Sequence, residues 1–217
     1  MQVVVEGEAF NITWDKTSGR ITAWTFRGEP VVLAGPTLNL WRAPTDNDAK
    51  RMAALWHQAG LDELTEQAEA IKVDTSEAAT ARITVQMATG LPDVVSRYVY
   101  AVYGSGDVVM EHRVEVGQDL PPLARVGVKL TLPATYEAFT WYGRGPHESY
   151  VDRKEGVVVD IWPSTVDAEY VPYIKPQEHG NKTDVRWAAL TDEDGRGLLA
   201  VGMPLLEVSA HHFTASD

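Results

Sequence analysis

Cysteine is absent from the 217 residues, which excludes disulfides, thiolate zinc sites, iron–sulfur clusters and a cysteine nucleophile, and fits a reducing, cytoplasmic setting. No apolar stretch approaches the ~18 residues of a membrane span, and Met1-Gln2-Val3-Val4-Val5-Glu6 has no basic region leading into a long apolar one. The expectation is a soluble chain with neither a secretion signal of its own nor a membrane partner. Positive charge is scarce as well. Nineteen Lys plus Arg face 31 Asp plus Glu, a net charge of −12, which repels phosphate backbones and argues against nucleic acid as a partner. Phosphate-cradling loops, dinucleotide fingerprints, a His-Glu-x-x-His helix and a Gly-x-Ser-x-Gly elbow are all missing, which removes most cofactor and triad readings.

What is present reads as β-structure. At 44% hydrophobic residues the chain can bury a sizeable core, and short runs rich in Val, Ile, Thr, Tyr, Phe and Trp alternate with Gly, Pro, Asp and Ser. Phe10–Trp14 and Ile21–Phe26 form the first pair, joined by a polar loop in which Gly19 can supply a positive φ. Further strands are predicted over Val31–Leu33, Ala81–Met87, Val94–Tyr103, Val108–Val116, Leu123–Leu132, Ala138–Trp141, Val157–Trp162, Val185–Leu190, Leu198–Met203 and Leu206–Ala210. In Arg82-Ile83-Thr84-Val85-Gln86-Met87 every second residue is apolar, so one face is buried and the other wet. Two antiparallel sheets packed face to face satisfy this pattern. One segment departs from it: Met52, Leu55 and Trp56 follow helical spacing, with Asp48 as the expected N-cap and Gly60 as the stop. Leu61–Val73 fits helix and strand equally. No repeat or Pro/Ser-rich linker divides the chain, so a single domain is expected.

Three polar stretches could carry chemistry. Trp41-Arg42-Ala43-Pro44-Thr45-Asp46-Asn47-Asp48 is either a rigid Asx-rich turn or a loop offering paired donors and acceptors to sugar hydroxyls. Tyr142, Arg144, Glu148, Tyr150, Asp152 and Arg153 sit among aromatic residues and two glycines, and suit a buried ion-pair network or a binding rim. Glu148 and Asp152 are poor candidates for a glycosidase carboxylate pair, because their spacing in a non-helical segment does not define a separation; pairing with Arg144 or Arg153 is expected instead. In the third stretch, Tyr170–Lys182, Glu178 and His179 stand out, His179 as an acid–base candidate or a hydrogen-bonded structural residue. His211-His212 is a weak metal candidate, since adjacent strand residues point to opposite faces and no third ligand is evident in sequence. No metal site or cofactor is therefore expected within the chain.

Taken together and in this order, Trp41–Asp48, Tyr142–Arg153 and Pro172–Asn181 resemble the C-terminal small-chain domain of glycoside hydrolase family 2 β-galactosidases. The resemblance runs from about Val3 to the end. It implies an all-β fold, a large antiparallel two-layer supersandwich of galactose-mutarotase type, and residues 1–217 as the N-terminal portion of that domain, truncated where the family continues for several strands that include, in some members, a sugar-stacking tryptophan. It implies further that both catalytic glutamates lie on a separate (β/α)₈ barrel, which can also carry a divalent metal, so that this chain is non-catalytic. Arg42, Asp46, Asn47 and Asp48 inherit a substrate-proximal role, and the residues from Tyr142 to Arg153, with Glu178 and His179, a structural one. The implied partners are the barrel and other domains of the same polypeptide, a terminal β-D-galactoside hydrolysed with retention, and further copies in a homo-oligomer. An aldose-1-epimerase-like enzyme and a purely architectural module remain alternatives, the first requiring His147 or His179 to face a cleft together with a carboxylate.

Overall fold

The computed structural model describes residues 1–215. The chain divides into two compact units: Met1–Arg42 with Asn47–Leu132, and Ala43–Asp46 with Pro133 onward.

The first unit is an antiparallel β-sandwich. Strands β1 (Gln2–Glu6), β2 (Phe10–Asp15), β3 (Ile21–Phe26), β4 (Glu29–Val32) and β5 (Ala34–Asn39) precede two short helices, α1 (Asp46–Ala49) and α2 (Met52–Gln58). Strands β6 (Glu66–Asp74), β7 (Thr80–Thr89), β8 (Val94–Tyr103), β9 (Val108–Val116) and β10 (Gly127–Thr131) follow. They form a six-stranded sheet in the order β1-β2-β3-β5-β10, with β4 on β3, and a four-stranded meander β6-β7-β8-β9. Period-two burial explains why the sheets pack. Phe10, Ile12 and Trp14 of β2 meet Ile83, Val85 and Met87 of β7 and Tyr98, Tyr100 and Val102 of β8 in one core. Gly19 adopts φ +70° in the β2–β3 turn, and a Cβ there would lie 2.8 Å from Val85 and Met87, so conformation and packing both demand glycine. A second cluster gathers Leu38, Leu40, Trp41, Trp56, Leu61 and Val94.

The Glu66 carboxylate is buried in this unit and satisfied by the Leu38 N–H (2.8 Å), the Ser96 hydroxyl (2.9 Å) and the Tyr98 hydroxyl (3.1 and 3.2 Å). It thus ties β5 of one sheet to β8 of the other. Burial and then the Glu66 charge push the Tyr98 phenol up, so it stays a neutral donor.

The second unit is a four-stranded antiparallel sheet, β12-β11-β13-β14, built from β11 (Ala138–Gly145), β12 (Val158–Thr165), β13 (Lys182–Thr191) and β14 (Gly197–Val208). Phe139, Trp141, Val166, Val185 and Ala188 form its core. A single 3₁₀ turn, Asp167–Glu169, follows β12.

Several sequence expectations need correction. The stretch 61–73, open between helix and strand in sequence, is turn and coil to Thr65 and strand β6 from Glu66, because β7 offers a ladder from Glu66↔Thr89 to Asp74↔Arg82 that local periodicity cannot reveal. Asp48 is not the cap of α2: that position is Arg51, with no side-chain cap bond, while Asp48 takes the Arg42 guanidinium at 2.8 and 3.1 Å. Asp48 lies within α1, ahead of the position that caps α2. The two strands expected over 198–210 are one continuous strand, β14, and Leu123–Leu132 narrows to β10, since Leu123 packs on the Trp56 cluster instead.

His112 stacks on Tyr98 at 4.0 Å between ring centroids, and burial lowers its pKa from 6.5 to about 4. Between those values the unfolded imidazole holds more protons than the folded one, so stability falls as pH drops through this window. The ring is only partly buried, and the expected loss is on the order of 1–2 kcal/mol. Melting midpoints recorded from pH 7 to 4 should fall for the wild type and flatten in His112→Gln; parallel curves would remove His112 as the cause.

Candidate functional site

The segment Val171–Asn181 carries no helix or strand, yet two of its residues are pinned by one carboxylate. Glu148, on the loop after β11, accepts the Tyr173 hydroxyl at 2.5 Å, the Gly180 N–H at 2.8 Å, the Tyr150 hydroxyl at 3.3 Å and the Arg153 guanidinium. Burial alone would raise its pKa; the Tyr173, Gly180 and Arg153 donors outweigh that, and the net shift is downward. The same carboxylate pushes Tyr173 up, while burial first and Glu148 second push Tyr150 up. Gly180 must be glycine: its φ is +76°, and a Cβ would stand 2.9 Å from the His211 ring.

Arg144 does not join Glu148. Its Nε donates to Asp184 at 2.5 Å, and its Nη1 donates to the Lys154 and Val157 carbonyls at 3.1 and 3.0 Å. Asp184 reaches it from a left-handed residue (φ 52°) where the β13–β14 register shifts, and the Arg144 hydrogen bond holds its carboxyl below the usual range. Sequence reading missed Asp184, which stands just before the predicted strand Val185–Leu190; the register irregularity of β13 is what marks it. Lys182 was also missed. Only 1% exposed, it binds Glu169 at 2.5 Å and the Pro146 carbonyl at 3.0 Å, with its ammonium 4.6 Å from the Trp141 ring centre. The glycines between these groups permit close approach, since a Cβ on Gly145 would fall 2.5 Å from the Trp162 indole.

These groups border an open cleft of about 480 Å³ lined by His147, Glu148, Arg153, Glu169 and Lys182, among others. A histidine and two carboxylates therefore share a concavity, but neither carboxylate suits proton transfer. Glu148 has four donors and a lowered pKa, and Glu169 is held by a buried ammonium. His179 is buried, with its Nδ1 2.9 Å from the Gln177 carbonyl and its ring packed between Tyr170 and His211.

The Arg42–Asp48 stretch separates into two kinds of residue. Arg42 and Asp48 are spent on each other, with the guanidinium also 5.8 Å from the Trp56 ring. Asp46 and Asn47 are exposed. Asp46 lies 3.3 Å from the Lys175 ammonium, its N–H donates to Gln177 at 3.4 Å, and the Glu178 N–H donates to the Ala43 carbonyl at 3.3 Å. The segment that Glu148 clamps is thus the one that steadies Asp46. Asp152 is exposed.

A family model described as beta galactosidase small chain matches residues 6–217. A beta-galactosidase of Priestia megaterium is 33% identical over 214 residues, covering 96% of this chain and 20% of the relative. One of Vibrio cholerae is 35% identical over 196 residues, covering 82% of this chain and 19% of the relative. The chain therefore spans about a fifth of the length of these curated relatives.

The two arginines of the motif should differ in weight. Arg144 is 25% exposed and supplies two carbonyls besides Asp184, whereas Arg153 is 61% exposed. Arg144→Ala should cost about 2 kcal/mol, chiefly by leaving the Lys154 and Val157 carbonyls without their donor while Asp184 keeps Lys154 at 3.3 Å, and Arg153→Ala less than about 1 kcal/mol after solvent screening. Urea unfolding of both variants checks the order; equal midpoints would refute it.

Proposed function

Because the chain belongs to the beta galactosidase small chain family, we propose that it is a non-catalytic, substrate-adjacent portion of a retaining β-galactosidase that removes terminal β-D-galactosyl groups. The observation that carries the non-catalytic reading is the saturation of the cleft carboxylates. Retaining hydrolysis needs one carboxyl that donates a proton and a second that attacks, roughly 5 Å apart. Glu148 accepts four donors and its pKa is lowered, and Glu169 is occupied by the Lys182 ammonium, so neither fits the acid's role. The acid and nucleophile then belong to a barrel elsewhere in the parent polypeptide, which can also hold a divalent metal.

In this reading Asp46 and Asn47 face the substrate and Arg42–Asp48 clamps their loop. The family match spans both units, which supports taking them as portions of one small-chain domain of supersandwich type. No helix among the described residues is long and apolar enough to cross a membrane. Leu199, Val201 and Met203 on β14 are 60%, 61% and 81% exposed, apolar surface of the kind that other domains of a longer chain cover. The proposal extends to a cytoplasmic homo-oligomer as the working form. The architectural reading is favoured for residues 142–153, whose arginines are consumed by Asp184 and Glu148. The epimerase reading loses ground for the same reason that the catalytic one does.

Two measurements test this. The 217-residue chain alone should not hydrolyse p-nitrophenyl β-D-galactoside, when prepared from a host lacking its own β-galactosidase; turnover that co-purifies with the chain would overturn the non-catalytic reading. In the full-length parent, Asp46→Ala should lower kcat/KM by on the order of tenfold and leave residual hydrolysis, since a positioning group contributes less than a nucleophile. Unchanged kinetics would return the loop to a purely structural role, and complete loss would make Asp46 catalytic.

A further inference from the structure

His212 follows β14, Glu137 precedes β11 and Asp167 opens the 3₁₀ turn after β12. These three distant positions converge in the second unit. The His212 Nε2 lies 2.8 Å from Glu137 Oε2 and 3.6 Å from Asp167 Oδ1, and one ligand atom from each residue falls within 4.8 Å of the others. We propose that Glu137, Asp167 and His212 form a binding site for a divalent transition-metal ion, with zinc the best match.

The distances favour this. Ligands about 2.1 Å from a common ion stand roughly 3.0 Å apart at right angles and 3.4 Å apart in a tetrahedron, and the two His212 separations bracket that range. The donor set is one imidazole and two carboxylates, borderline to hard, which suits zinc or manganese more than copper(I). Two carboxylates also match the ion's charge. The site is partly organised before any ion arrives: the second Glu137 oxygen accepts the Asp167 N–H at 2.9 Å, and that bond is the first cause of the lowered Glu137 pKa. It holds Oε2 toward the ring, the kind of second interaction that orients metal ligands. The three side chains are 38%, 86% and 42% exposed for Glu137, Asp167 and His212, so an ion has an entry path and water can complete its shell. In the ion's absence Nε2 shares a hydrogen bond with Glu137; as a metal ligand Nε2 would offer its lone pair and the neutral ring would carry its proton on Nδ1. The neighbouring His211 contributes nothing to this geometry, so the adjacent histidines are not themselves the motif. The missing third ligand is supplied by tertiary structure.

Isothermal titration of the EDTA-treated 217-residue chain with zinc chloride tests the site. Saturable uptake of one ion per chain is expected, together with a higher melting midpoint. His212→Gln and Asp167→Asn should each weaken that uptake on the order of tenfold or more, whereas His57→Gln, which disrupts the separate His57–Asp62 pair, should leave it unchanged. Asp167→Asn keeps its backbone N–H and alters a highly exposed group, so its fold should be intact by circular dichroism. Absence of saturable uptake, or uptake that survives both substitutions, would overturn the proposal.

Discussion

One partly buried carboxylate decides the shape of the irregular half of the second unit. Glu148 collects donors from Tyr150 and Arg153 on its own loop and from Tyr173 and Gly180 on another. Residues 171–181 have no ladder or helical hydrogen bonds to fix them, and an unconstrained loop of that length loses much conformational entropy on ordering. A charge-assisted bond at each end of the segment offsets part of that cost. The arrangement is cooperative, because removing the carboxylate would leave two phenols, a guanidinium and a backbone N–H to find new partners at once. From the same segment come Lys175, Gln177 and Glu178, which hold Asp46 and Ala43. The order of the exposed Asp46 loop therefore descends from Glu148 even though the two never touch.

The first unit uses the same device within a different setting. Glu66 accepts donors from β5 and β8 and lies within a sandwich already joined by Ile12, Trp14, Ile83 and Tyr98. There the apolar core supplies most of the cohesion, and the carboxylate adds register, because only one sliding position of β5 presents the Leu38 N–H to it. In the second unit the proportions differ. Apolar packing is confined to the sheet around Phe139 and Trp141, and the loops beyond it are held by Arg144–Asp184, Lys182–Glu169 and the Glu148 cluster. Ion pairs of this kind contribute less net stability than packed methyl groups but tolerate few alternative arrangements.

Much of the fold was legible because it rests on local signals. Alternation in Ile83–Met87 marked a half-buried strand, the polar Gly19 loop marked a hairpin, and the ends of Val94–Tyr103 and Val108–Val116 coincide with β8 and β9. The losses share a cause. Gln2–Glu6 and Ala34–Asn39 are strands only because β2 and β10 lie beside them, the latter despite Gly35 and Pro36. Asp48 looked like a helix cap because the sequence does not reveal that it lies within α1 and pairs with Arg42, six residues earlier. At the site, the density of charge between Tyr142 and Arg153 was plain, but its wiring was not. Arg144 chose Asp184, forty residues away, rather than the nearer Glu148.

That wiring bears on what polar motifs can mean. A string of charged and aromatic residues in a sequence is compatible with a reactive site and with a scaffold, and residue types alone do not separate them. The discriminating quantity is how many donors each carboxylate has already accepted. A general acid must keep its proton near neutrality, which requires burial with few donors; Glu148 is partly buried with four, and its pKa moves down instead of up. On the proposed reading, saturation makes a residue whose surroundings resemble those of a catalytic glutamate a structural fastener. By the same measure Asp46, two-thirds exposed and paired with an exposed ammonium, retains hydrogen-bonding capacity, which is what the proposed substrate-facing role requires. The contrast lies in partners and exposure: Glu66 and Glu148 accept donors that fix backbone and loops, whereas Asp46 stays open to solvent.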